Sequence, residues 1–234
     1  MNKQIDFTGI VLATKRLTLR PWRESDLADF YEYASVDGVG QMAGWVPHRN
    51  MEESREILSH FINGKHVFAL EHQGKVIGSL GVEKYREENY PELDTLRGRE
   101  IGYVLSKAYW GQGLMPEAVK AVIDWLFSEI KLDFIIVGHF DWNNQSRRVI
   151  EKCGFVREGV LRRSFSRYDG AVLDSVCYSL LREEYLKQMT QFRDMCVRAI
   201  GDSDIVICIE NTNGFRDYQL EALQILNLVT GARL

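Results

Sequence analysis

Cysteine, histidine and long apolar runs are all scarce in this chain of 234 residues. The five histidines show no ligand spacing, and the four cysteines are widely spaced without a metal-type cluster. These cysteines are Cys153, Cys177, Cys196 and Cys208. We therefore expect no bound metal, and reduced thiols in the core of a cytoplasmic protein.

Membrane and secretion signals are missing from the sequence as well. No uninterrupted apolar run is long enough to span a bilayer. The opening residues, MNKQIDFTGI, lack the apolar core of a signal peptide. We predict a protein without a membrane partner.

The chain also has no long basic run. Its 29 Lys and Arg residues against 33 Asp and Glu residues give a net charge of −4. This balance argues against a nucleic acid as the main partner and is compatible with a cationic substrate. The hydrophobic share of 45% with 26% charged residues is typical of a globular protein. The length allows one generous domain, or one domain with an appendage.

The stretch from Arg99 to Glu129 carries the most information. A strand pattern over 99–105 leads into a glycine-punctuated loop at 110–115, and Pro116 fits the first position of a helix over 116–129. Glycines let the backbone approach a ligand, and free N–H groups at a helix start attract anions. The stretch therefore predicts a phosphate-binding loop, with an ordinary strand-to-helix turn as the alternative.

Two well-known phosphate loops are excluded in this stretch. The sequence has no G-x-x-x-x-G-K-[ST] motif, so it carries no P-loop. Its G-x-G has no third glycine three residues later, so the dinucleotide-binding fingerprint also fails. What remains is a loop that could hold a pyrophosphate without a lysine or a metal.

A second informative stretch follows the helix. Residues 132–140 (LDFIIVGHF) are typical of a buried strand, parallel to the strand at 99–105 through the intervening helix. Asn143 or Asn144 can then cap a helix that begins near Gln145 and ends at Gly154.

The remaining segments alternate between strand and helix patterns. The predicted strands are 14–22, 66–70, 75–84, 156–167 and 172–181, and the predicted helices are one capped by Ser25 and one over 52–61. His72-Gln73-Gly74 and Tyr168-Asp169-Gly170 are predicted turns, and 85–98 is a long polar connection. Together they indicate the α/β (α+β) class, with a mixed central sheet flanked by helices.

Residues 110–115 resemble motif A of the GNAT superfamily of N-acetyltransferases, Q/R-x-x-G-x-G/A, which holds the coenzyme A pyrophosphate. Gly113 matches the glycine of that motif, whereas Trp110 stands where Gln or Arg is usual and Met115 where Gly or Ala is usual. The tryptophan is typical of the ribosomal-protein N-terminal acetyltransferase (RimJ/RimL-type) branch. The resemblance implies acetyl-CoA as co-substrate and the acyl-CoA N-acyltransferase fold.

Further segments agree with this resemblance. The family string N-x-x-S-x-x-x-x-x-K-x-G-F is matched by Asn143, Ser146, Lys152, Gly154 and Phe155. The opening TKRLTLRPW at 14–22 and the element Trp45-Val46-Pro47-His48 are similar to segments of the same branch. The resemblance covers roughly residues 10–186, which we take as the acetyltransferase domain.

The resemblance also implies site residues. The positions implied for coenzyme binding are Tyr103, Val104, Leu105, Trp110, Gly111, Gln112, Gly113, Leu114, Met115, Asn143, Ser146 and Lys152. Trp45 and His48 would lie on the acceptor side. The alternative is that Trp45 and Pro47 staple the helix over 52–61 and that His48 is exposed to solvent. His139 is a further substrate-side candidate and could act as a base, with a hydrogen-bonded core histidine as the alternative.

Acyl transfer to an amine needs a neutral nucleophile, a donor for the developing oxyanion and a proton for the thiolate. The ordinary pKa of an α-amine is about 7.7–8.0, against about 10.4 for lysine, so an α-amine needs less help from a base. The oxyanion donor implied by the family is a backbone N–H near Val104 or Leu105. If the strand over 99–105 is regular, Glu100 lies on the same face as Gly102 and Val104. Glu100 could deprotonate the amine through water, or serve only as a salt-bridge partner or a strand-edge charge. Ser146 could protonate the thiolate, cap its helix, or do both.

The sequence thus predicts an acetyl-CoA-dependent N-acetyltransferase that acts on a protein or peptide α-amine, or on a small amine. A non-catalytic acyl-CoA-binding module and an enzyme that acetylates antibiotics or polyamines are the alternatives. Residues 187–234 lie outside the resemblance and read as an α-β-α extension, with helices over 185–200 and 215–228 and a strand over 205–209. Because such a piece is too small to hold a core alone, we expect it to pack on the domain or on a second subunit of a homodimer.

Overall fold

A computed structural model describes residues 5–85 and 95–200, with the backbone alone for 192–200. Its strands are β1 Leu12–Ala13, β2 Thr18–Pro21, β3 Val67–His72, β4 Lys75–Glu83, β5 Gly98–Leu105, β6 Phe134–Phe140, β7 Val156–Ser166 and β8 Val172–Leu181. They form one eight-stranded sheet in the order β1-β2-β3-β4-β5-β6-β8-β7. The pair β5–β6 is parallel and the other neighbours are antiparallel, so the predicted mixed sheet is confirmed.

Helices pack on both faces of this sheet. They are α1 Leu27–Ala34, α2 Val39–Ala43, α3 Met51–Gly64, α4 Leu114–Ser128, α5 Asn144–Lys152 and α6 Arg182–Ile200. The crossover from β5 through α4 to β6 matches the predicted parallel unit. No helix of the described residues is both long enough and apolar enough to cross a bilayer.

Alternation along the strands divides the core into two layers. In β3, Phe68 and Leu70 belong to the cluster that contains α4, whereas Val67 and Ala69 belong to the cluster of α1 and α2. This is the period of two expected for a strand with both faces buried. The same alternation decides which side chains of β5, β6 and β8 face α4 and which face the other side.

The β5–β6 pair opens partway along its length. Only three residue pairs join the two strands, from Gly98–Phe134 to Glu100–Ile136, although β5 has eight residues and β6 has seven. On its other side β5 stays paired with β4 as far as Leu105. The two strands therefore separate beyond Glu100, and the gap lies directly before the loop that leads to α4.

Two helix starts differ from the sequence prediction. Helix α4 begins at Leu114, so Pro116 is its third residue rather than its first. A proline fits there equally well, because the first N–H groups of a helix have no partner within it. Ser25 is not the cap of α1: residues 24–26 form a 3-10 turn, and the carboxylate of Asp26 accepts the Arg23 N–H at 2.8 Å.

The first predicted strand, 14–22, is wrong in its first half. Residues 12–13 and 18–21 form the antiparallel pair β1–β2, and a turn joins them. The hydroxyl oxygen of Thr14 accepts the N–H of Leu17 at 2.7 Å and closes this turn. A Ser or Thr side chain that bonds its own backbone in this way competes with strand pairing.

Helix α2 was not predicted at all. It has five residues between Gly38 and Gly44, both with positive φ (89° and 87°). A segment this short shows no helical periodicity in a sequence. The turn at Gln73 and Gly74, in contrast, has positive φ at both residues as the glycine turn predicted.

The C-terminal part of the described chain is helical, as predicted for 185–200. Helix α6 starts at Arg182, so the expected domain boundary between residues 186 and 187 falls inside it. Tyr185 stacks on Phe127 of α4 at 4.8 Å between ring centroids. The strand and helix predicted over 205–209 and 215–228 lie outside the described residues, as do residues 86–94 of the predicted 85–98 connection.

Candidate active site

A cavity of about 1250 Å³ passes through the sheet at the gap between β5 and β6. Tyr103, Met115 and Ser146 line it on the α4 face, and Glu100 and Cys177 line it on the opposite face. Because the walls come from both faces, a ligand held on one face can meet a second ligand held on the other. The cavity thus joins the predicted coenzyme loop to the strand end that carries Glu100.

The loop before α4 has the geometry of an anion site. Gly111 and Gly113 both have positive φ (76° and 75°), a region that L-residues with a side chain avoid. The first hydrogen bond of α4 runs from the Glu117 N–H to the Gly113 carbonyl at 3.3 Å. The N–H groups of Leu114 and Met115 therefore have no acceptor within the helix, at the end where its dipole is positive.

A guanidinium that sequence analysis did not assign lies beside this loop. Arg16, in the β1–β2 turn, donates from Nη1 to the Gln112 carbonyl at 2.9 Å. Its Nε and backbone N–H donate to the two carboxylate oxygens of Glu117, each at 2.8 Å. Nothing in the local sequence links Arg16 to a loop 96 residues away, so only the fold reveals the contact.

Arg16 also sets the charge state of its partner. Burial by itself would raise the pKa of Glu117, but hydrogen bonds from Thr14 and Arg16 hold that pKa below its ordinary value. Glu117 thus stays ionised and anchors the guanidinium at the start of α4. The loop gains a fixed positive charge although Trp110 stands where the motif usually has Gln or Arg.

Trp110, Gln112 and Met115 have structural contacts of their own. The indole N–H of Trp110 donates to the Leu105 carbonyl at 2.8 Å, which ties the loop back to the end of β5. Met115 is 4% exposed and packs in the core. Gln112 does not line the cavity; its carbonyl binds Arg16, and its side-chain amide donates to the Ala108 carbonyl at 3.2 Å.

The N-terminus of α5 reaches the cavity from the α4 face. Of the two predicted caps, Asn143 and Asn144, the structure uses Asn143, which accepts the N–H of Ser146 at 3.1 Å. The Asn143 amide also donates to the Met42 carbonyl at 3.0 Å, which fixes α2 against α5. Lys152, at the other end of α5, lines the cavity as well.

Tyr103 of β5 contacts Ser146 directly. Its hydroxyl lies 2.9 Å from Ser146 Oγ and donates to the Ser146 carbonyl at 3.3 Å. Burial raises the pKa of Tyr103, so the phenol stays protonated at neutral pH. The pair presents two neutral hydroxyl groups to the cavity.

Glu100 lies on the opposite face, where sequence analysis placed it. The β4–β5 pairing is regular from Gly78–Leu105 to Glu83–Glu100, so Glu100, Gly102 and Val104 share one face. The carboxylate lines the cavity next to the sheet gap.

Trp45 and His48 do not line the cavity. His48 is 9% exposed, its Nδ1 lies 2.7 Å from Ser54 Oγ, and burial lowers its pKa. The alternative of a solvent-exposed His48 is therefore wrong. Trp45 packs on His48 and against Gly40 of α2, where a methyl group would clash at 2.5 Å. Trp45 thus supports α2, whose Met42 lines the cavity, and His48 packs behind Trp45.

His139 faces the α4 side of β6 and lines the cavity. It is 7% exposed, its Nδ1 lies 2.7 Å from the Phe140 carbonyl, and its Nε2 lies 3.4 Å from the Tyr178 hydroxyl. These are the contacts of the hydrogen-bonded core histidine that the sequence offered as an alternative. In residues 5–85 and 95–200, no three His, Cys, Asp or Glu side chains stand close enough to hold a metal ion.

The sequence and the fold both match known proteins. Residues 16–156 match the family model described as the acetyltransferase (GNAT) domain. The uncharacterized N-acetyltransferase p20 of Bacillus licheniformis is 29% identical over 183 residues, which are 74% of this chain and 97% of that protein.

Two solved structures share the fold. A GNAT-family acetyltransferase from Bacillus anthracis superposes with a TM-score of 0.66 at 26% identity, over 75% of this chain and 100% of that chain. Mycobacterium smegmatis RimJ, solved in complex with CoA-disulfide, superposes with a TM-score of 0.60 at 24% identity, over 74% of this chain and 85% of that chain. At that identity the RimJ likeness shows the fold alone.

Proposed function

The chain belongs to the GNAT acetyltransferase family, and we propose that it transfers an acetyl group from acetyl-CoA to the primary amine of a protein or peptide N-terminus, or of a small molecule. The cavity that joins the glycine loop to Glu100 through the sheet carries this proposal. It lets the thioester and the acceptor approach from opposite faces. Holding two reactants in one geometry in this way contributes much of the rate enhancement of such enzymes.

The glycine loop fits the diphosphate of coenzyme A. The open backbone at Gly113, the free amides of Leu114 and Met115 and the guanidinium of Arg16 converge on one region. Backbone amides at a helix start and an arginine are the groups that bind phosphate oxygens in proteins. Trp110, Asn143 and Lys152 would support the loop and the pantetheine arm, as the family resemblance implies.

The coenzyme supplies the acetyl group as a thioester, and the chain's residues handle the protons and the developing charge. In the proposed reaction Glu100 accepts a proton from the acceptor's ammonium group. The freed amine attacks the acyl carbon, the new C–N bond replaces the C–S bond, and the second proton of the nitrogen ends on the departing sulfur. A backbone N–H near Val104 or Leu105, beside the sheet gap, would bind the acyl oxygen.

The Tyr103–Ser146 pair would assist the leaving sulfur. Ser146 Oγ can accept a hydrogen bond from Tyr103 and donate its own proton towards the thiolate. Such a chain stabilises negative charge on sulfur while both hydroxyls remain neutral. This role is in addition to the backbone contacts of Ser146 at the start of α5.

The test is thiol release from acetyl-CoA with a panel of acceptors. The panel comprises tetrapeptide amides that begin with Ala or Ser, the same peptides with an acetylated N-terminus, and putrescine, spermidine and ethanolamine. Turnover with free but not with blocked amines supports the proposal, and the preferred arm separates a peptide acceptor from a small amine. Tight coenzyme A binding in calorimetry without turnover on any amine would instead favour the non-catalytic acyl-CoA-binding module.

A further inference from the structure

Strand β7 contains one extra residue, relative to its partner β8, beside the cavity. Arg157 pairs with Tyr178 of β8 and Gly159 pairs with Cys177, so Glu158 has no partner position and forms a β-bulge. A bulge breaks the alternation of faces and re-aims a side chain, which is why bulges are enriched next to active sites. Here the re-aimed side chain lines the cavity.

Ser179 holds the re-aimed carboxylate. Its hydroxyl donates to Glu158 Oε1, and the serine itself is 7% exposed. One hydroxyl satisfies only a small part of the acceptor capacity of a carboxylate, which has about four lone-pair sites. Among the described residues Glu158 has no basic partner within salt-bridge distance. The cavity wall thus carries, at the exposed position 158, a carboxylate that Ser179 orients and that has no basic group of the described residues within salt-bridge distance.

Glu158 lies on the acceptor side and near the candidate base. Glu100 pairs with Ile136, and Ile136 pairs with Ser179, so one row crosses the three strands. With strands about 4.8 Å apart, the Cα atoms of Glu100 and Ser179 are about 10 Å apart. Burial raises the pKa of the Cys177 thiol, and Glu100 and Glu158 each raise it further, as expected when both carboxylates lie near that sulfur.

We propose that Glu158 is a specificity-determining residue that binds the positive charge of the acceptor, so that the substrates of this enzyme are cationic amines. An ammonium group between the two strands would contact Glu158, which keeps its orientation through Ser179, and would give its proton to Glu100. This inference rests on the proposed acetyl transfer and adds the residue that binds the charge of the acceptor. It separates binding by Glu158 from deprotonation by Glu100.

Kinetics of Glu158→Gln test the role. With the panel amine that turns over fastest, we expect KM for the amine to rise about 10- to 100-fold, as for the loss of a hydrogen bond to a charged group, with kcat within about threefold. Ser179→Ala should shift KM in the same direction but less. With hydroxylamine, which is uncharged at pH 7.5, the variant should match the wild type. Glu52→Gln, at an exposed position of α3 outside the cavity wall, is the matched control.

Cys177 gives a second measurement that needs no turnover, because it lines the cavity beside both carboxylates. Alkylation by iodoacetamide at pH 7.5, followed by peptide mass mapping, should be slowed by spermidine in the wild type and in Glu52→Gln but not in Glu158→Gln. Without spermidine, Glu158→Gln should react faster, since the loss of the carboxylate lowers the thiol pKa.

The outcomes separate the two claims. Wild-type turnover with an unchanged amine KM in Glu158→Gln overturns the role of Glu158 and leaves acetyl transfer standing. Absence of turnover in the wild type overturns the proposed function. In that case the alkylation assay still tests Glu158. Protection of Cys177 by spermidine that is lost in Glu158→Gln supports a cation-binding carboxylate. Protection that is absent in the wild type, or unchanged in Glu158→Gln, overturns the role of Glu158.

Discussion

Replacing Gly113 by alanine should separate the cost of a strained backbone from the loss of coenzyme binding. Gly113 has a φ of +75° at the start of α4, where an L-residue costs about 1–2 kcal/mol. Gly170, in the β7–β8 turn, has a φ of +82° with nothing within 4 Å of an added methyl group. Gly170→Ala is therefore a control with the same backbone penalty at a position outside the cavity wall.

The two variants should lose similar stability. A loss of about 1–2 kcal/mol in a chain of this size corresponds to a fall in Tm of about 2–8 °C. An alanine Cβ at Gly113 would lie 3.7 Å from Arg16 Nη2, an ordinary van der Waals contact, so no clash adds to this cost. Differential scanning calorimetry should give comparable shifts for Gly113→Ala and Gly170→Ala.

Coenzyme binding should distinguish them. The added methyl group occupies the space between the loop and the Arg16 guanidinium, where a phosphate oxygen would bind. Losing one hydrogen bond to a charged group costs about 1.5–3 kcal/mol, which weakens Kd by about tenfold or more. Isothermal titration with coenzyme A should show this for Gly113→Ala and an unchanged Kd for Gly170→Ala. An unchanged Kd in Gly113→Ala would refute the assignment of the diphosphate to this loop.

Three further substitutions test other contacts. Because the folded-state pKa of Glu117 lies below its ordinary value, its stabilisation is present above that ordinary value and is lost as the pH falls through the folded value. Urea unfolding of Glu117→Gln and wild type should therefore differ most above about pH 5, and the difference should shrink as the pH is lowered from there. Tyr103→Phe removes the hydroxyl beside Ser146 and should lower kcat about 3- to 10-fold with coenzyme Kd unchanged, measured by steady-state kinetics and calorimetry. Asp26→Asn leaves the buried Arg20 without its bidentate partner and should lower the free energy of unfolding by about 2 kcal/mol, measured by urea unfolding. This is less than the roughly 3–5 kcal/mol for a fully broken buried pair, because Glu71 still binds Arg20.

The features of the candidate site that could be predicted from the sequence are those that depend on residues close together in the chain. The glycine loop that ends at Gly113 could be predicted because a strand, a glycine loop and a helix follow one another within a short stretch. The cap of α5 could be narrowed to Asn143 or Asn144 because a capping residue and the helix it starts are adjacent. The face of Glu100 followed from simple alternation along a regular strand.

The parts that sequence did not predict depend on distant segments. Arg16 meets the loop only after β1 and β2 pack beside α4, and no local pattern records that contact. Glu158 sits in a strand whose extra residue is visible only against the register of its partner. Neither the acceptor-side position predicted for His48 nor its solvent-exposed alternative included its burial, which comes from Trp45 and Phe30 in the folded chain.

The boundary between β5 and β6 has a mechanical consequence, because these strands pair over only part of their length. It divides the sheet into a block of five strands and a block of three, and only three residue pairs of backbone contact join them. Separation along this line breaks fewer backbone hydrogen bonds than separation at the β3–β4 or β6–β8 boundaries, where six and seven residue pairs are joined. A ligand bound in the gap between β5 and β6 would contact both blocks of strands and restrict their relative movement. Ligand binding would therefore make the sheet more rigid at this boundary.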